Sequence, residues 1–232
     1  MSDPLFNVIE VRAGVEAEND AFAAQVREYT REKGVFLINL MASPGAGKTS
    51  LLCRIIDDLS PKYRIGVIEA DMDADVDSYT VTAHGAAALQ LRTGTSCHVD
   101  AKMMLRALKS FPTPLPDVIV LENVGNLVCP AEFDVGADLK LMILSVPEGD
   151  DKPLKYPLMF TVSDLMVVNK TDTSSVFDFN LSECEARVKK LNPDMEIYPL
   201  SAKTGSGVPA FTDRLEHRIR SVLNEKREGS GK

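Results

Sequence analysis

The sequence has no apolar run as long as a membrane-spanning helix needs, and its first residues, MSDPLFNVIE, lack the basic and apolar segments of an export signal. We therefore expect a cytoplasmic protein that does not associate with membranes. Its 26 basic residues are outnumbered by 34 acidic ones. The formal net charge of −8 argues against a surface that binds a nucleic-acid backbone.

Cysteine is scarce, with 4 residues in a chain of 232. Cysteines seldom form disulfides in the cytoplasm, so these are predicted to be core thiols or metal ligands. The sequence shows no internal repeat, and its length suits one sizeable domain with its own core. We predict a helical extension over 1–34, the main domain over 35–225 and a flexible tail over 226–232.

Short apolar runs alternate with helical patterns through the main domain. The runs predicted to be strands are 35–41, 65–68, 88–91, 118–121, 139–146, 165–168 and 195–200. This alternation is typical of a three-layer, doubly wound α/β fold, with a mainly parallel sheet and helices on both faces. The helix before residue 35 is predicted to be an N-terminal brace. Ligands of such folds bind at the carboxyl ends of the strands.

The stretch VFLINLMASPGAGKT, residues 35–49, has the pattern of a phosphate-binding loop. A buried strand leads into a glycine turn, and a helix follows whose N-terminus favours an anion. Lys48 is predicted to reach the outer phosphates, and Thr49 to offer an oxygen to Mg²⁺. The usual pattern opens with glycine, and here that position is Ala42. The residues predicted to hold the phosphates are Gly45, Ala46, Gly47, Lys48, Thr49 and Ser50.

Two later motifs predict that the base is guanine. The first, Asn169-Lys170-Thr171-Asp172, matches the N-K-x-D element of GTPases, whose aspartate accepts hydrogen bonds that guanine donates and adenine does not. Ser201-Ala202-Lys203, after the next strand, matches the supporting element that contacts the guanine oxygen. Each motif follows a predicted strand, so both are expected at one edge of the sheet. The sequence therefore predicts a P-loop GTPase that binds GTP and GDP.

Acidic residues supply the candidates for Mg²⁺ binding and catalysis. Glu122 opens Glu122-Asn123-Val124-Gly125, where GTPases carry D-x-x-G, so Gly125 is predicted to sense the γ-phosphate. Thr49, Asp71 and Glu122 are the predicted Mg²⁺ ligands. Lys48, Asp71, Asp77 and Glu122 are the predicted catalytic residues. A solvated loop is the other interpretation of the acidic stretch that contains Asp71 and Asp77. No glutamine stands where a Ras-like GTPase positions its water, so we expect slow intrinsic hydrolysis.

Cys97, His98 and Cys129 form a candidate metal site. Neighbouring side chains on a strand point to opposite faces, so Cys97 and His98 could bind one ion only from a turn, for which Gly94 is suited. Thiolate and imidazole ligands suit Zn²⁺ or Ni²⁺. The fourth position could hold water or a ligand from a second subunit. Buried packing is the other interpretation for isolated cysteines, and we assign Cys53 and Cys184 to it.

Four stretches resemble the HypB family of hydrogenase-maturation GTPases, which are SIMIBI-class P-loop GTPases that serve nickel insertion into nickel–iron hydrogenase. They are NLMASPGAGKTSLL (39–52), TGTSCHVDAKM (93–103), ENVGNLVCPAEFD (122–134) and EGDDKPLKYPLMF (148–160). The resemblance implies that Cys97, His98 and Cys129 bind Ni²⁺ or Zn²⁺, and that GTP favours a homodimer with the metal near its interface. It also implies maturation partners such as the nickel chaperone HypA.

The sequence departs from this family in two ways. It has no cysteine before Cys53 and only His84 before His98, so the nickel storage that N-terminal cysteine or histidine segments provide in many members is not expected. The segment after N-K-x-D, which contributes to the dimer in some relatives, has Phe177 as its only large anchor. Three alternatives stay open. The urease accessory GTPases (UreG) carry Cys-Pro-His, a metal-independent chaperone GTPase would use the same nucleotide motifs, and the partition-type ATPases would need a lysine at Ser43.

Overall fold

The computed structural model describes residues 11–71 and 76–230, with the side chains of 11–15, 71–78 and 230 left out. The strands are β1 (Phe36–Ala42), β2 (Ile65–Asp71), β3 (Ala87–Arg92), β4 (Val118–Glu122), β5 (Leu139–Ser145), β6 (Leu165–Asn169) and β7 (Glu196–Pro199). The helices are α1 (Val11–Lys33), α2 (Lys48–Leu59), α3 (Val76–Ala83), α4 (Ala101–Ser110), α5 (Cys129–Glu132), α6 (Lys152–Lys155), α7 (Pro157–Val162), α8 (Leu181–Leu191) and α9 (Val208–Ser230).

The seven strands form one parallel sheet in the order β3-β2-β4-β1-β5-β6-β7. The chain builds outward from β1 to one side through β2 and β3. It then returns to insert β4 beside β1, and it continues to the other side through β5. The strand order therefore reverses around β1, and a crevice for ligands forms where the order reverses. The predicted doubly wound, mainly parallel fold is confirmed.

The core lies on both faces of the sheet because the side chains of β1 alternate between them. Phe36, Ile38 and Leu40 pack with α2 and α9 on one face. On the opposite face Leu37 packs with α1 and α4, while Met41 packs with α7 and α8. Helices thus cover both faces, which gives the three predicted layers. Every residue of β1 is buried, and this makes the strand a fixed support for the loop that follows it.

Helix α1 ends as its sequence predicts, but the last helix does not. Gly34 follows α1 with a φ of 65°, a left-handed conformation that favours glycine and stops the helix. Residues 226–230, which the sequence analysis assigned to a tail, continue α9, whose last residue is Ser230. The reason is Lys226, a buried residue whose ammonium group donates to the carbonyl oxygen of Val35 and to Asp138 Oδ2, each across 2.7 Å.

Within the described residues, none of the helices combines the length and the apolar composition that crossing a membrane requires.

Candidate nucleotide and metal site

The phosphate-binding loop connects β1 to α2 at the carboxyl edge of the sheet. Gly47 has a φ of 99°, and a Cβ atom there would lie 2.5 Å from Asn169 Nδ2, so both conformation and space require glycine. Helix α2 begins at Lys48, and its free N–H groups face the loop. Ala46 is buried. The local geometry is therefore that of an anion cradle.

The two predicted base-recognition segments are hydrogen-bonded to this loop. Asn169 Nδ2 donates to the carbonyl oxygen of Ala46 across 2.9 Å, and Lys170 Nζ donates to that of Gly45 across 2.6 Å. Asn169 Oδ1 also accepts from the backbone N–H of Ala202 at 3.0 Å. One asparagine side chain thus joins the phosphate loop to both base-recognition segments.

The carboxylate of Asp172 is held in place by the second base-recognition segment. The Ser201 hydroxyl donates to Asp172 Oδ1 across 2.6 Å. On the other side of this segment, Arg54 of α2 donates from Nε to the carbonyl oxygen of Ala202 at 2.8 Å and from Nη2 to that of Lys203 at 3.1 Å. The role of Arg54 was not predicted, because no motif includes it.

Glu122 ends β4 beside the start of α2. The Thr49 hydroxyl donates to Glu122 Oε1 across 3.0 Å, so two of the three predicted Mg²⁺ ligands face each other. Three residues further on, Gly125 passes so close to the phosphate loop that a Cβ atom would lie 3.0 Å from Pro44 Cγ. The donor set is oxygen-rich, as Mg²⁺ requires. The predicted roles of Asp71 and Asp77 depend on side chains that lie outside the described residues.

Cys97, His98 and Cys129 form a cluster whose ligand atoms all lie within 4.8 Å of one another. The two sulfur atoms are 2.8 Å apart, and Cys97 Sγ is 3.8 Å from His98 Nδ1. The pair Cys97-His98 lies in the loop between β3 and α4, as the metal interpretation required, while Cys129 begins α5. Sulfur and nitrogen atoms gathered in one cluster are the ligand types that Ni²⁺ and Zn²⁺ take, and the two sulfur atoms would move apart to admit an ion. Of the other cysteines, Cys53 and Cys184 are buried, as predicted.

Protonation of the metal-free cluster follows from burial and from the contact between sulfurs. The hydrogen bond with Cys97, together with burial, raises the pKa of the Cys129 thiol. Burial lowers the pKa of His98, although Asp100 and Glu132 act in the opposite direction. His98 is therefore ready to bind a metal as a neutral imidazole, whereas the Cys129 thiol must first release its proton.

Aromatic and amide side chains around the cluster were not predicted. The Phe133 ring stacks on the His98 imidazole, with centroids 4.1 Å apart and planes 20° apart. Asn123 Oδ1 accepts from the backbone N–H of Val99 at 3.3 Å, and Asn126 Nδ2 donates to the carbonyl oxygen of Cys97 at 3.4 Å. The loop that joins Glu122 to Cys129 therefore also contacts the segment that carries Cys97 and His98. In the sequence, the only indication of these contacts was that this loop lies between the Glu122–Gly125 motif and the candidate metal ligand Cys129.

The parallel sheet, the phosphate loop and its bonded base-recognition segments define a P-loop nucleoside triphosphatase of the GTP-binding class. Comparison with known proteins specifies the family. Residues 36–199 match the model of the CobW/HypB/UreG nucleotide-binding domain. The hydrogenase maturation factor HypB of Rhizobium leguminosarum bv. viciae is 44% identical over 209 residues, which are 90% of this chain and 70% of that protein.

Solved structures agree with the sequence comparisons. HypB from Archaeoglobus fulgidus superposes with a TM-score of 0.82 at 36% identity, covering 88% of this chain and 99% of the other. HypB from Helicobacter pylori, solved in complex with nickel, superposes with a TM-score of 0.81 at 34% identity, covering 89% of this chain and 97% of the other. This chain belongs to the CobW/HypB/UreG family and, within it, to the hydrogenase maturation factors HypB. The resemblance seen in the motifs is confirmed.

Proposed function

We propose that this protein is a GTP-hydrolysing metallochaperone that assists nickel insertion into nickel–iron hydrogenase. The observation that carries the proposal is the cluster of Cys97, His98 and Cys129, whose ligand atoms lie within 4.8 Å of one another. The loop from Glu122 to Cys129 reaches both this cluster and the phosphate loop. Metal and nucleotide thus share one short segment, which is the arrangement that coupling between two sites needs.

The metal is cargo in this proposal, and the geometry suits binding that can be reversed. Cys97 is exposed and Cys129 is partly exposed, so the sulfur atoms are accessible to an incoming ion. Three protein ligands leave one position open in a four-coordinate site. A partner such as the nickel chaperone HypA could exchange the metal through this position, or the equivalent cysteines of a second copy could fill it. A GTP-favoured homodimer is therefore part of the proposal.

The nucleotide roles follow from the contacts around the loop. Lys48 would bind the outer phosphates, and Asp172 would accept hydrogen bonds from guanine, held by Ser201. Thr49 and Glu122, with Asp71, would hold Mg²⁺, which when bound neutralises charge that develops on the phosphates. Gly125 lies against Pro44 and is suited to respond to the γ-phosphate. We expect slow turnover, and phosphate release at a rate typical of a metabolic enzyme would contradict this.

Coupling is tested by calorimetry of Ni²⁺ and Zn²⁺ binding, first with GDP and then with a non-hydrolysable GTP analogue. We expect tight binding that changes with the nucleotide and is lost in Cys129→Ala. The matched control is Cys184→Ala, because that cysteine is buried in the core away from the cluster. Equal metal affinity with both nucleotides would contradict the coupling. No metal binding in either state would contradict the metallochaperone function and leave a guanine-nucleotide chaperone.

A further inference from the structure

Asn19 of α1 makes two hydrogen bonds to backbone groups that lie far from it in the sequence. Its Oδ1 accepts from the N–H of Ala101 at 3.0 Å, and its Nδ2 donates to the carbonyl oxygen of Asp134 at 2.9 Å. The side chain is only 8% exposed. One primary amide therefore satisfies a donor and an acceptor on two separate segments, and both would be costly to leave unpaired in this environment.

These two segments carry the candidate metal ligands. Ala101 is the first residue of α4 and comes three residues after His98. Asp134 directly follows Phe133, whose ring is stacked on the His98 imidazole, in the segment that Cys129 begins. Asn19 thus holds the chain next to His98 with one atom and the chain beyond Cys129 with another.

Helix α1 is held in place by an ion pair and by close packing, so it can fix the positions of both segments. Arg27, about two turns after Asn19 on the same side of α1, forms an ion pair with Asp134, the residue whose carbonyl oxygen Asn19 also bonds. Gly136 passes so close to α1 that a Cβ atom would lie 2.5 Å from the carbonyl oxygen of Ala23 and 2.8 Å from Val26 Cβ. Since Val26 is fully buried in the core, α1 cannot shift without disturbing the packing.

We propose that Asn19 is a positioning residue of the metal site. It fixes the segment of Cys97 and His98 relative to the segment of Cys129 and Phe133, and in this way α1, the helix before the phosphate-loop strand, raises the affinity for metal. The inference rests on the proposed metal-binding function. Groups hydrogen-bonded directly to a ligand typically contribute about 10- to 100-fold in metal affinity. Asn19 acts one step further out, on the backbone of the ligand-bearing segments, so we expect an effect at the lower end of this range.

The test compares full-length wild type with Asn19→Ala and Asn19→Asp. Ni²⁺ and Zn²⁺ affinities are measured by competition with a chromophoric chelator, and the absorption bands of bound Ni²⁺ report on ligand geometry. We expect Asn19→Ala to weaken metal binding about tenfold and to change the Ni²⁺ spectrum, with unchanged GDP affinity. Asn19→Asp keeps an acceptor for Ala101 N–H but loses the donor to Asp134, so a smaller loss is expected. Asn19→Asp is the variant to measure if Asn19→Ala fails to fold.

The control is Gln25→Ala, an exposed amide on the same helix whose bond, to the carbonyl oxygen of Ala21, is local. It should leave metal affinity unchanged. If both Asn19 variants bind metal with wild-type affinity and spectrum, even at a lower melting temperature, the amide only fastens α1 and the inference is overturned while the proposed function stands. If the wild type binds neither metal, the proposed function fails and the inference fails with it.

Discussion

The Thr49 hydroxyl donates to Glu122 Oε1 across 3.0 Å and so joins the start of α2 to the end of β4. The strands that precede these two residues, β1 and β4, are fully buried, so the backbone leading to each side of the contact is held by the sheet. Glutamate occupies the position where GTPases carry the aspartate of D-x-x-G.

Glu122→Gln tests whether this carboxylate serves the Mg²⁺ site. The amide can still accept the Thr49 hydrogen bond but carries no charge for a cation, so we expect GTP hydrolysis to fall about 100-fold, a loss of several kcal/mol of charge stabilisation. Binding of GDP in the presence of a Mg²⁺ chelator should stay unchanged. Phosphate release under multiple turnover measures the effect, with the exposed Glu225→Gln as control. A hydrolysis rate equal to that of wild type would exclude this role.

Arg54→Ala tests whether α2 positions the guanine-recognition segment. The two bonds to the carbonyl oxygens of Ala202 and Lys203 would be lost, and we expect GDP affinity to fall about tenfold, which corresponds to about 1.4 kcal/mol. The GDP affinity of Arg54→Lys should lie between those of wild type and Arg54→Ala, because an ammonium group cannot bond both carbonyl oxygens in the way a guanidinium group does.

Equilibrium titration with a fluorescent GDP derivative measures the affinity, and the same titration with ADP measures selectivity. A positioning role predicts that the preference for GDP over ADP narrows in Arg54→Ala. The control is Arg220→Ala on the exposed side of α9. Equal losses for GDP and ADP would instead mean that Arg54 acts on the phosphates.

The thiols should divide into two classes in the native protein. Cys97 and Cys129 are accessible, while burial raises the pKa of Cys184 to about 12 and Cys53 is also buried. An aromatic disulfide reagent at pH 8 should therefore modify the first pair in the native protein, with Cys129 slowed by its raised pKa, and the second pair only after denaturation. Added Ni²⁺ or Zn²⁺ should protect the first pair, and removal of the metal by a chelator should restore its reactivity. Fast modification at saturating metal would contradict the proposed ligands.

Glu196 gives the stability a defined dependence on pH. Its carboxylate accepts from Arg214, Arg218 and Tyr198, and these bonds, chiefly that from Arg214, lower its pKa from 4.5 to about 2. A lowered pKa in the folded state means that the stabilisation is complete above pH 4.5 and is lost as the pH falls towards 2.

Glu196→Gln should accordingly reduce the free energy of unfolding at pH 7 by about 1 kcal/mol, a value discounted for solvent screening of these partly exposed groups. Urea titrations at pH 7, 5 and 3.5 measure the difference from wild type, which should shrink at the lowest pH. The exposed pair of Arg31 and Glu28 on α1 offers the control, since Glu28→Gln should change the stability less. A difference that is constant over this range would contradict the assignment.

The nucleotide motifs could be recognised in the sequence because each is a local string placed after a buried strand. Asn169 and Asp172 are two examples, since the chemistry of their motif lies within four consecutive residues. The strand that ends at Asn169 places the motif at the carboxyl edge of the sheet. The proximity of Cys97 to Cys129 is different. These residues are 32 positions apart, so their pairing was one of two interpretations until the resemblance to a family favoured it.

The contacts that were missed join ordinary residue types over long separations. Arg54 and Ala202 are 148 positions apart, and Asn19 and Asp134 are 115 apart, so no local pattern marks them. The extent of α9 beyond residue 225 was missed for another reason. The composition of 226–232 suggests fraying, yet Lys226 continues the buried spacing of Ile219 and Leu223 by burying its aliphatic stem beneath a bonded ammonium group.

The contacts of Lys226 can form only late in synthesis, because they join the last described helix to residues near the start of the chain. Its ammonium group contacts Thr30 and Val35, residues made nearly two hundred positions earlier, at a separation of 196 for Thr30. During translation α1 can pack on α4 well before α9 leaves the ribosome. The junction between α1 and β1 lacks its hydrogen bonds to Lys226 until α9 has been made. The two ends of the described chain therefore complete the domain together, and a folding intermediate without α9 has only α2 to cover the β1 face of Phe36, Ile38 and Leu40.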